Sequence, residues 1–220
     1  MSGGDGLVVN EIFRSIQGEG ARAGRVCAFV RLTGCNLRCR WCDTPYAYDE
    51  GGQVPVESLL EKVAALRCRL VMLTGGEPLL QPATPALLAR LCDAGYEVLL
   101  ETNGSLDVSG VDARVVRCVD IKCPGSGEAG SFLWSNLDAL RPGDEIKLVL
   151  ADREDYDYAR RVVREHDLTA RCTVLMVPAA GLLPPVKLAE WILGEPDALG
   201  GVRLGLQLHK IIWPDVRRGV

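Results

Sequence analysis

The stretch RVCAFVRLTGCNLRCRWCDT (residues 25–44) decides the fold class. Its first nine residues are rich in β-branched and aromatic side chains and read as a buried strand. Three cysteines, Cys35, Cys39 and Cys42, follow at once, with an acid and a hydroxyl, Asp43 and Thr44, directly behind them. The same grammar recurs downstream. LVMLTGG (70–76), YEVLLETNG (96–104), VRCVDIK (116–122), EIKLVL (145–150), CTVLMV (172–177) and GVRLGLQLH (201–209) read as further strands. Helical periodicity predicts helices over 54–67, 84–95, 135–144, 153–167 and 184–193.

Strands that alternate with helices imply a mostly parallel sheet wrapped by helices, an α/β fold. Ligands then gather at the carboxyl ends of the strands. The unusual stretches sit at those ends: GCNLRCRWCDT, TGGEP, ETNG, DIKCPGSG, VPAAG and QLHK. There is no repeat and no linker, so residues 1–220 read as one domain.

Composition narrows the class further. Acidic residues outnumber basic ones, 29 to 25, giving a net charge of -4. This speaks against a nucleic-acid surface. No apolar run approaches the length of a membrane helix, and the first residues lack the pattern of a secretory signal. The expectation is a cytoplasmic protein that meets neither nucleic acid nor membrane. Nine cysteines without a signal are poor material for a disulfide framework. Six of them, Cys27, Cys68, Cys92, Cys118, Cys123 and Cys172, are scattered, mostly in apolar stretches, and read as small buried hydrophobes.

A structural zinc site is usually closed by four protein ligands, whereas three leave a position open for chemistry. The Cys-x₃-Cys-x₂-Cys spacing suits one short loop holding three corners of a four-iron cluster. Zinc with His209 as a distant fourth ligand is an alternative, and three unconnected thiols are another.

At these residues the sequence resembles the radical S-adenosylmethionine (SAM) enzymes. Cys35, Cys39 and Cys42 match their defining triplet, Trp41 their aromatic before the third cysteine, and Gly75-Gly76-Glu77-Pro78 their GGEP motif. The resemblance implies a partial (β/α) barrel, a [4Fe-4S] cluster and SAM as cofactor. The free iron chelates SAM, and one electron releases a radical that abstracts hydrogen.

FRSIQGEG (13–20), with CDT, TGGEPLLQ, ETNGS, DIKCPGSG and QLHKIIW, resembles the 7-carboxy-7-deazaguanine synthase family within that superfamily, from about residue 10 to 220. That resemblance implies a lyase of queuosine and deazapurine biosynthesis. Its reaction contracts the ring of 6-carboxy-5,6,7,8-tetrahydropterin to 7-carboxy-7-deazaguanine with loss of ammonia. It further implies magnesium, a flavodoxin- or ferredoxin-type reductant and a homodimer.

Carried over position by position, Thr44 would bind Mg2+. Ile16, Gln17, Gly18, Arg31, Thr74 and Val220 would meet the pterin. Trp41, Cys42, Asp43, Gly76, Asp120, Ile121, Lys122, Val177, Pro178, Ala179 and Ala180 would meet SAM. Glu19, Glu77, Glu101 and His209 are further candidates. Each has a plainer alternative: Thr44 capping a loop, Arg31 in an internal salt bridge, Lys122 solvated, His209 structural, 103–104 a simple turn. Residues 177–180 lack the polar side chains of other versions, so contacts there would be through backbone. The cluster loop is expected at 34–44 and a substrate-closing tail at 207–220. The rival readings are a glycyl-radical-enzyme activase and a non-catalytic iron–sulfur electron carrier.

Overall fold

The computed structural model describes residues 6–195 and 199–220. In chain order its elements are β1 (Gly6–Ile16), β2 (Val26–Leu32), β3 (Gly52–Pro55), α1 (Val56–Ala65), β4 (Leu70–Gly75), α2 (Thr84–Asp93) and β5 (Glu97–Thr102). There follow β6 (Val116–Asp120), β7 (Glu145–Leu150), α3 (Arg153–Glu165), α4 (Leu168–Arg171), β8 (Thr173–Pro178), α5 (Pro185–Leu193), β9 (Val202–Leu204) and α6 (Leu208–Ile212). The described strands form one sheet in the order β3-β1-β2-β4-β5-β6-β7-β8-β9. From β2 to β9 every pairing is parallel; β1 pairs antiparallel with both β2 and β3. The sheet is not closed, so the architecture is a partial barrel. None of the described helices is long and apolar enough to cross a membrane.

Strand alternation divides the sheet into two faces. Outward positions such as Ala28, Val30, Leu32, Val71, Leu73, Val98 and Leu100 pack under α1 and α2, which bury Leu59, Val63, Leu87, Leu88 and Leu91. Ile146, Leu148, Val174 and Met176 pack beneath α3. That helix buries Tyr156, Ala159, Val162 and Val163, a stripe at helical spacing, together with Asp155, while its arginines and other acids lie toward the outside. The inward core is small: Cys27, Phe29, Leu70, Met72 and Leu99, with Phe13 stacked on Phe29 at 5.0 Å. The rest of the interior is left for a cavity.

Several expectations are corrected. Residues 6–16 and 52–55 are strands that periodicity did not reveal, because β1 mixes Asn10, Glu11 and Arg14 with its apolar residues and β3, at the sheet edge, is only four residues long. No helix links β5 to β6; Asn136 instead holds residues 104–108 through bonds to Gly104 O, Leu106 O and Val108 N. The expected helix over 135–144 is a 3-10 segment, Trp134–Ala139. The strand expected over 201–209 stops at Leu204, because Gly205 passes so close to Val177 that a Cβ would lie 2.8 Å from its Cγ2. His209 therefore sits on α6. His166, at the end of α3, stacks its ring on Trp134 at 4.4 Å. The first five residues, on which the reading of the N-terminus partly rests, lie outside the described residues.

Asp155, fully buried, ties the loop after β7 to the loop after β6. Its Oδ1 accepts from Gly125 N at 2.7 Å and its Oδ2 from Ala151 N at 2.8 Å. Asp155→Ala leaves two buried amides unpaired and is expected to cost about 2–5 kcal/mol in urea unfolding, with Asp155→Asn costing less.

Candidate active site

On β2, β4, β5 and β6 the inward positions turn polar at the carboxyl end: Cys27, Phe29, Arg31; Leu70, Met72, Thr74; Leu99, Glu101; Cys118, Asp120. On β7 the inward residues are Glu145, Lys147 and Val149. All of these except Cys27, Leu70 and Leu99, which form its floor, line a cavity of about 310 Å³. The cysteine loop, the turn after β1 and the C-terminal segment complete its walls.

The cysteine loop is fixed by backbone. Gly34 N donates to Ala47 O at 2.8 Å, and Glu77 N donates to Gly34 O at 2.7 Å. A Cβ on Gly76 would run into Gly34 O and approach Cys35 Cβ to 2.7 Å, so the double glycine is what lets β4 lie against the loop. Arg40 N donates to Ser126 O at 3.0 Å and Arg38 N to Glu128 Oε1 at 2.7 Å, joining the loop to the segment after β6. Cys35, Cys39 and Cys42 all face the same cavity. Cys35 Sγ receives Leu37 N at 3.4 Å and Asn103 Nδ2 at 3.9 Å, and Cys42 Sγ lies 3.9 Å from Thr44 Oγ1. Burial pushes the Cys35 and Cys39 thiols up, so a bound cationic group must displace their protons. Among the described residues no three His, Cys, Asp or Glu side chains converge on a point where a single ion would sit. The three thiols share one cavity and one short loop, a donor set that suits an iron–sulfur cluster.

Farther in, Asp120 is 6% exposed and its Oδ1 has no hydrogen-bond partner among the described residues, an acceptor open to a ligand. Its Oδ2 meets Lys122 Nζ at 2.8 Å. Lys122 is thus paired rather than solvated. Glu101 accepts from Thr74 Oγ1 at 3.0 Å and from Lys147. Burial opposes the Glu101 charge, yet Lys147 and Thr74 hold its pKa down at about 2. Arg31 bonds to Glu11 through Nε at 2.7 Å. No other hydrogen bond or ion pair of Arg31 is made among the described residues, leaving its terminal nitrogens for a ligand.

At the far end lie Ile16, Gln17, Gly18 and Glu19. Gln17 is anchored by backbone bonds to Arg25 O and from Gly24 N, both 2.8 Å. Gly18 is where the C-terminal segment docks: its O accepts from Leu208 N at 3.0 Å, and a Cβ there would lie 2.5 Å from His209 Nδ1. His209 Nε2 and Lys210 Nζ reach Asp43 Oδ2 at 3.7 and 3.1 Å. Against the cost of burial, these two hold the Asp43 carboxyl well below the usual range. Arg218 pairs with Glu50 at 2.8 Å, Gly219 N with Glu11 Oε2 at 3.2 Å, and Tyr46 Oη lies 3.2 Å from Arg217 O. Val220 lines the cavity.

Most sequence-derived candidates therefore share one cavity: the three cysteines, Trp41, Asp43, Thr44, Gly76, Asp120, Lys122, Ala179, Ala180, Ile16, Gln17, Gly18, Glu19, Arg31, Thr74, Glu101, His209 and Val220. Four do not line it. Ile121 and Val177 are 0% and 1% exposed and Pro178 is buried beside them, so any contact from these three is through backbone. Glu77 is fully buried; it accepts from Leu79 N and Asn103 N at 2.9 and 2.7 Å, and Thr102 Oγ1 lies 2.9 Å from both its oxygens. It locks the ends of β4 and β5 together. Sequence reasoning missed Lys147, Tyr46, Tyr48, Gln207, Lys210 and Arg217. For Lys147 a signal existed, a charge set between apolar residues in the strand EIKLVL.

Comparison with known proteins agrees with this geometry. Residues 29–116 match the Radical SAM superfamily. The 7-carboxy-7-deazaguanine synthase of Koribacter versatilis is 45% identical over 97% of this chain and 100% of its own length. That of Chlorobaculum tepidum is 45% identical over 97% of both chains, and that of Thermoplasma acidophilum 37% identical over 96% and 99%. The crystal structure of QueE from Escherichia coli superposes with a TM-score of 0.76 over 92% of this chain and 94% of its own; at 23% identity it speaks for the fold.

Gly76→Ala forces the cysteine loop off β4. It is expected to cost about 1–3 kcal/mol in thermal unfolding and to lower the iron bound per chain on anaerobic reconstitution, with wild-type far-UV circular dichroism.

Proposed function

The chain belongs to the 7-carboxy-7-deazaguanine synthase family of the radical SAM superfamily, and from that premise we propose how its cavity contracts a carboxylated tetrahydropterin to a deazapurine. Such an enzyme is a lyase that carries a [4Fe-4S] cluster and uses SAM. The cluster and SAM, when bound, supply hydrogen-atom abstraction. What carries the reading is one cavity with three thiols at one end and Arg31, Glu19 and Glu101 deeper in.

Cys35, Cys39 and Cys42 hold the cluster, leaving one position for the cofactor. Gly76, the backbone of Trp41-Cys42-Asp43, Asp120 Oδ1 and Lys122 receive SAM, with the backbone of 121 and 177–180 beside them. Arg31 offers its terminal nitrogens to the substrate carboxylate, a geometry that suits bidentate pairing. Glu19 and Glu101 accept from the N–H groups of the pterin, and Gln17 with its neighbouring backbone reads the same ring. Thr74 keeps Glu101 aimed into the cavity. His209 props the turn at Gly18, and residues 207–220 shut out water. Thr44 places a hydroxyl near the cluster end, where it would help to hold Mg2+, an ion that prefers oxygen ligands.

A flavodoxin- or ferredoxin-type protein supplies the electron. The enzyme is expected to work as a homodimer. All nine cysteines are free, in keeping with the reducing cytoplasm.

The test is anaerobic incubation of reconstituted protein with SAM, reductant and 6-carboxytetrahydropterin. Release of ammonia and a deazapurine chromophore is expected. SAM cleavage without change in the pterin would contradict the reading and point to an activase. Thr44→Ala is expected to keep its iron and lose any stimulation of turnover by magnesium.

A further inference from the structure

Lys147 projects from β7 into the cavity, its side chain 13% exposed. An ammonium has three donors, and three carboxylates from three different elements surround this one. Glu19 Oε2, from the turn after β1, lies 2.8 Å from Nζ; Glu101 Oε1, on β5, is in direct contact; Asp120 Oδ2, on β6, is 3.8 Å away. Asp120 already has Lys122 at 2.8 Å, so the two short contacts of Lys147 go to the glutamates.

Each glutamate is also gripped at its other oxygen by a neutral donor. Gln207 Nε2 reaches Glu19 Oε1 at 2.9 Å, and Thr74 Oγ1 reaches Glu101 Oε2 at 3.0 Å. A carboxylate offers about four acceptor sites. Both groups are therefore fixed at both ends and keep lone pairs to spare for a ligand. Two partly buried carboxylates facing the same space repel each other, and a cation between them relieves that repulsion.

We propose that Lys147 is a positioning residue that holds Glu19 and Glu101 together as a charged, paired acceptor for the N–H edge of the substrate. The assignment rests on the pterin reading above, because a ring with an amino group beside a ring N–H presents such an edge. It assigns the pair to the substrate rather than to SAM, whose side of the cavity is served by Lys122 and Asp120.

The experiment uses the reconstituted holoenzyme and two variants, K147Q and K147R. K147Q is expected to raise KM for 6-carboxytetrahydropterin about 10- to 100-fold, the loss of a charge-assisted hydrogen bond, with a smaller change in kcat. Iron content, and SAM cleavage by dithionite without pterin, are expected to stay at the wild-type level. K147R keeps the charge and is expected to return KM most of the way. Wild-type KM in K147Q overturns the assignment; so does parallel loss of iron, SAM cleavage and turnover, which marks a general structural prop. Should K147Q not fold, K147R decides: near-native KM supports the assignment, and a raised KM with normal SAM cleavage overturns it. Wild-type protein that cleaves SAM but leaves the pterin unchanged overturns the functional reading and this assignment with it. Wild-type turnover with an unaffected K147Q overturns the assignment alone.

Discussion

The closest backbone approach in the site is that of Gly76 on Gly34, and the site is built around it. A side chain at Gly76 would push the end of β4 away from the loop after β2. With that contact in place, Glu77 N closes on Gly34 O, and the Glu77 carboxylate collects Asn103 N and Thr102 Oγ1. Asn103 in turn sets its Nδ2 toward the sulfur of Cys35 and toward Asn36 Oδ1. A buried glutamate is costly unless its oxygens are filled. Here they are filled by the strand ends themselves, so the group that must be satisfied is also the group that aligns the cysteine loop with β4 and β5.

Parallel strands deliver this arrangement cheaply because alternate residues on neighbouring strands share one face. The inward face of the sheet collects Arg31, Thr74, Glu101, Asp120 and Lys147. The charges in it are nearly all paired: Arg31 with Glu11, Lys122 with Asp120, Lys147 with Glu19 and Glu101. Pairing lets the charges stay ionised in a buried place, while the unpaired Asp120 Oδ1 and the terminal nitrogens of Arg31 remain for ligands. The antiparallel β1 has a separate task. It runs back along β2, from Val9 opposite Leu32 to Ile16 opposite Val26, and so carries Gln17, Gly18 and Glu19 to the end of the cavity away from the cysteines.

Much of this was legible in the sequence. Buried parallel strands announce themselves as short apolar runs, and the odd residues fell at their carboxyl ends, where such sheets hold ligands. Cys35, Cys39 and Cys42 were legible from spacing, and the double glycine from its place after a strand. What was not legible depends on contacts across the chain. β1 carries Asn10, Glu11 and Arg14 among its apolar residues and has no clean alternation to read. Lys147 gains its meaning only from Glu19 and Glu101, 128 and 46 residues away in sequence. Glu77 looked like a site residue because it lies in GGEP, yet burial turns it into a bracket. His209 was placed at the end of a strand, whereas the close packing of Gly205 on Val177 ends that strand early and puts the histidine on a helix.

The central claim is that three thiols of this chain hold an iron–sulfur cluster whose remaining position is free for SAM. Electron–nuclear double resonance on the reduced, oxygen-free protein tests it most directly, with SAM labelled at its amino nitrogen and carboxylate oxygen. The account predicts a hyperfine coupling between the cluster and both labels. A fully loaded cluster that shows neither coupling, with a side chain of this polypeptide on the fourth iron, would contradict it.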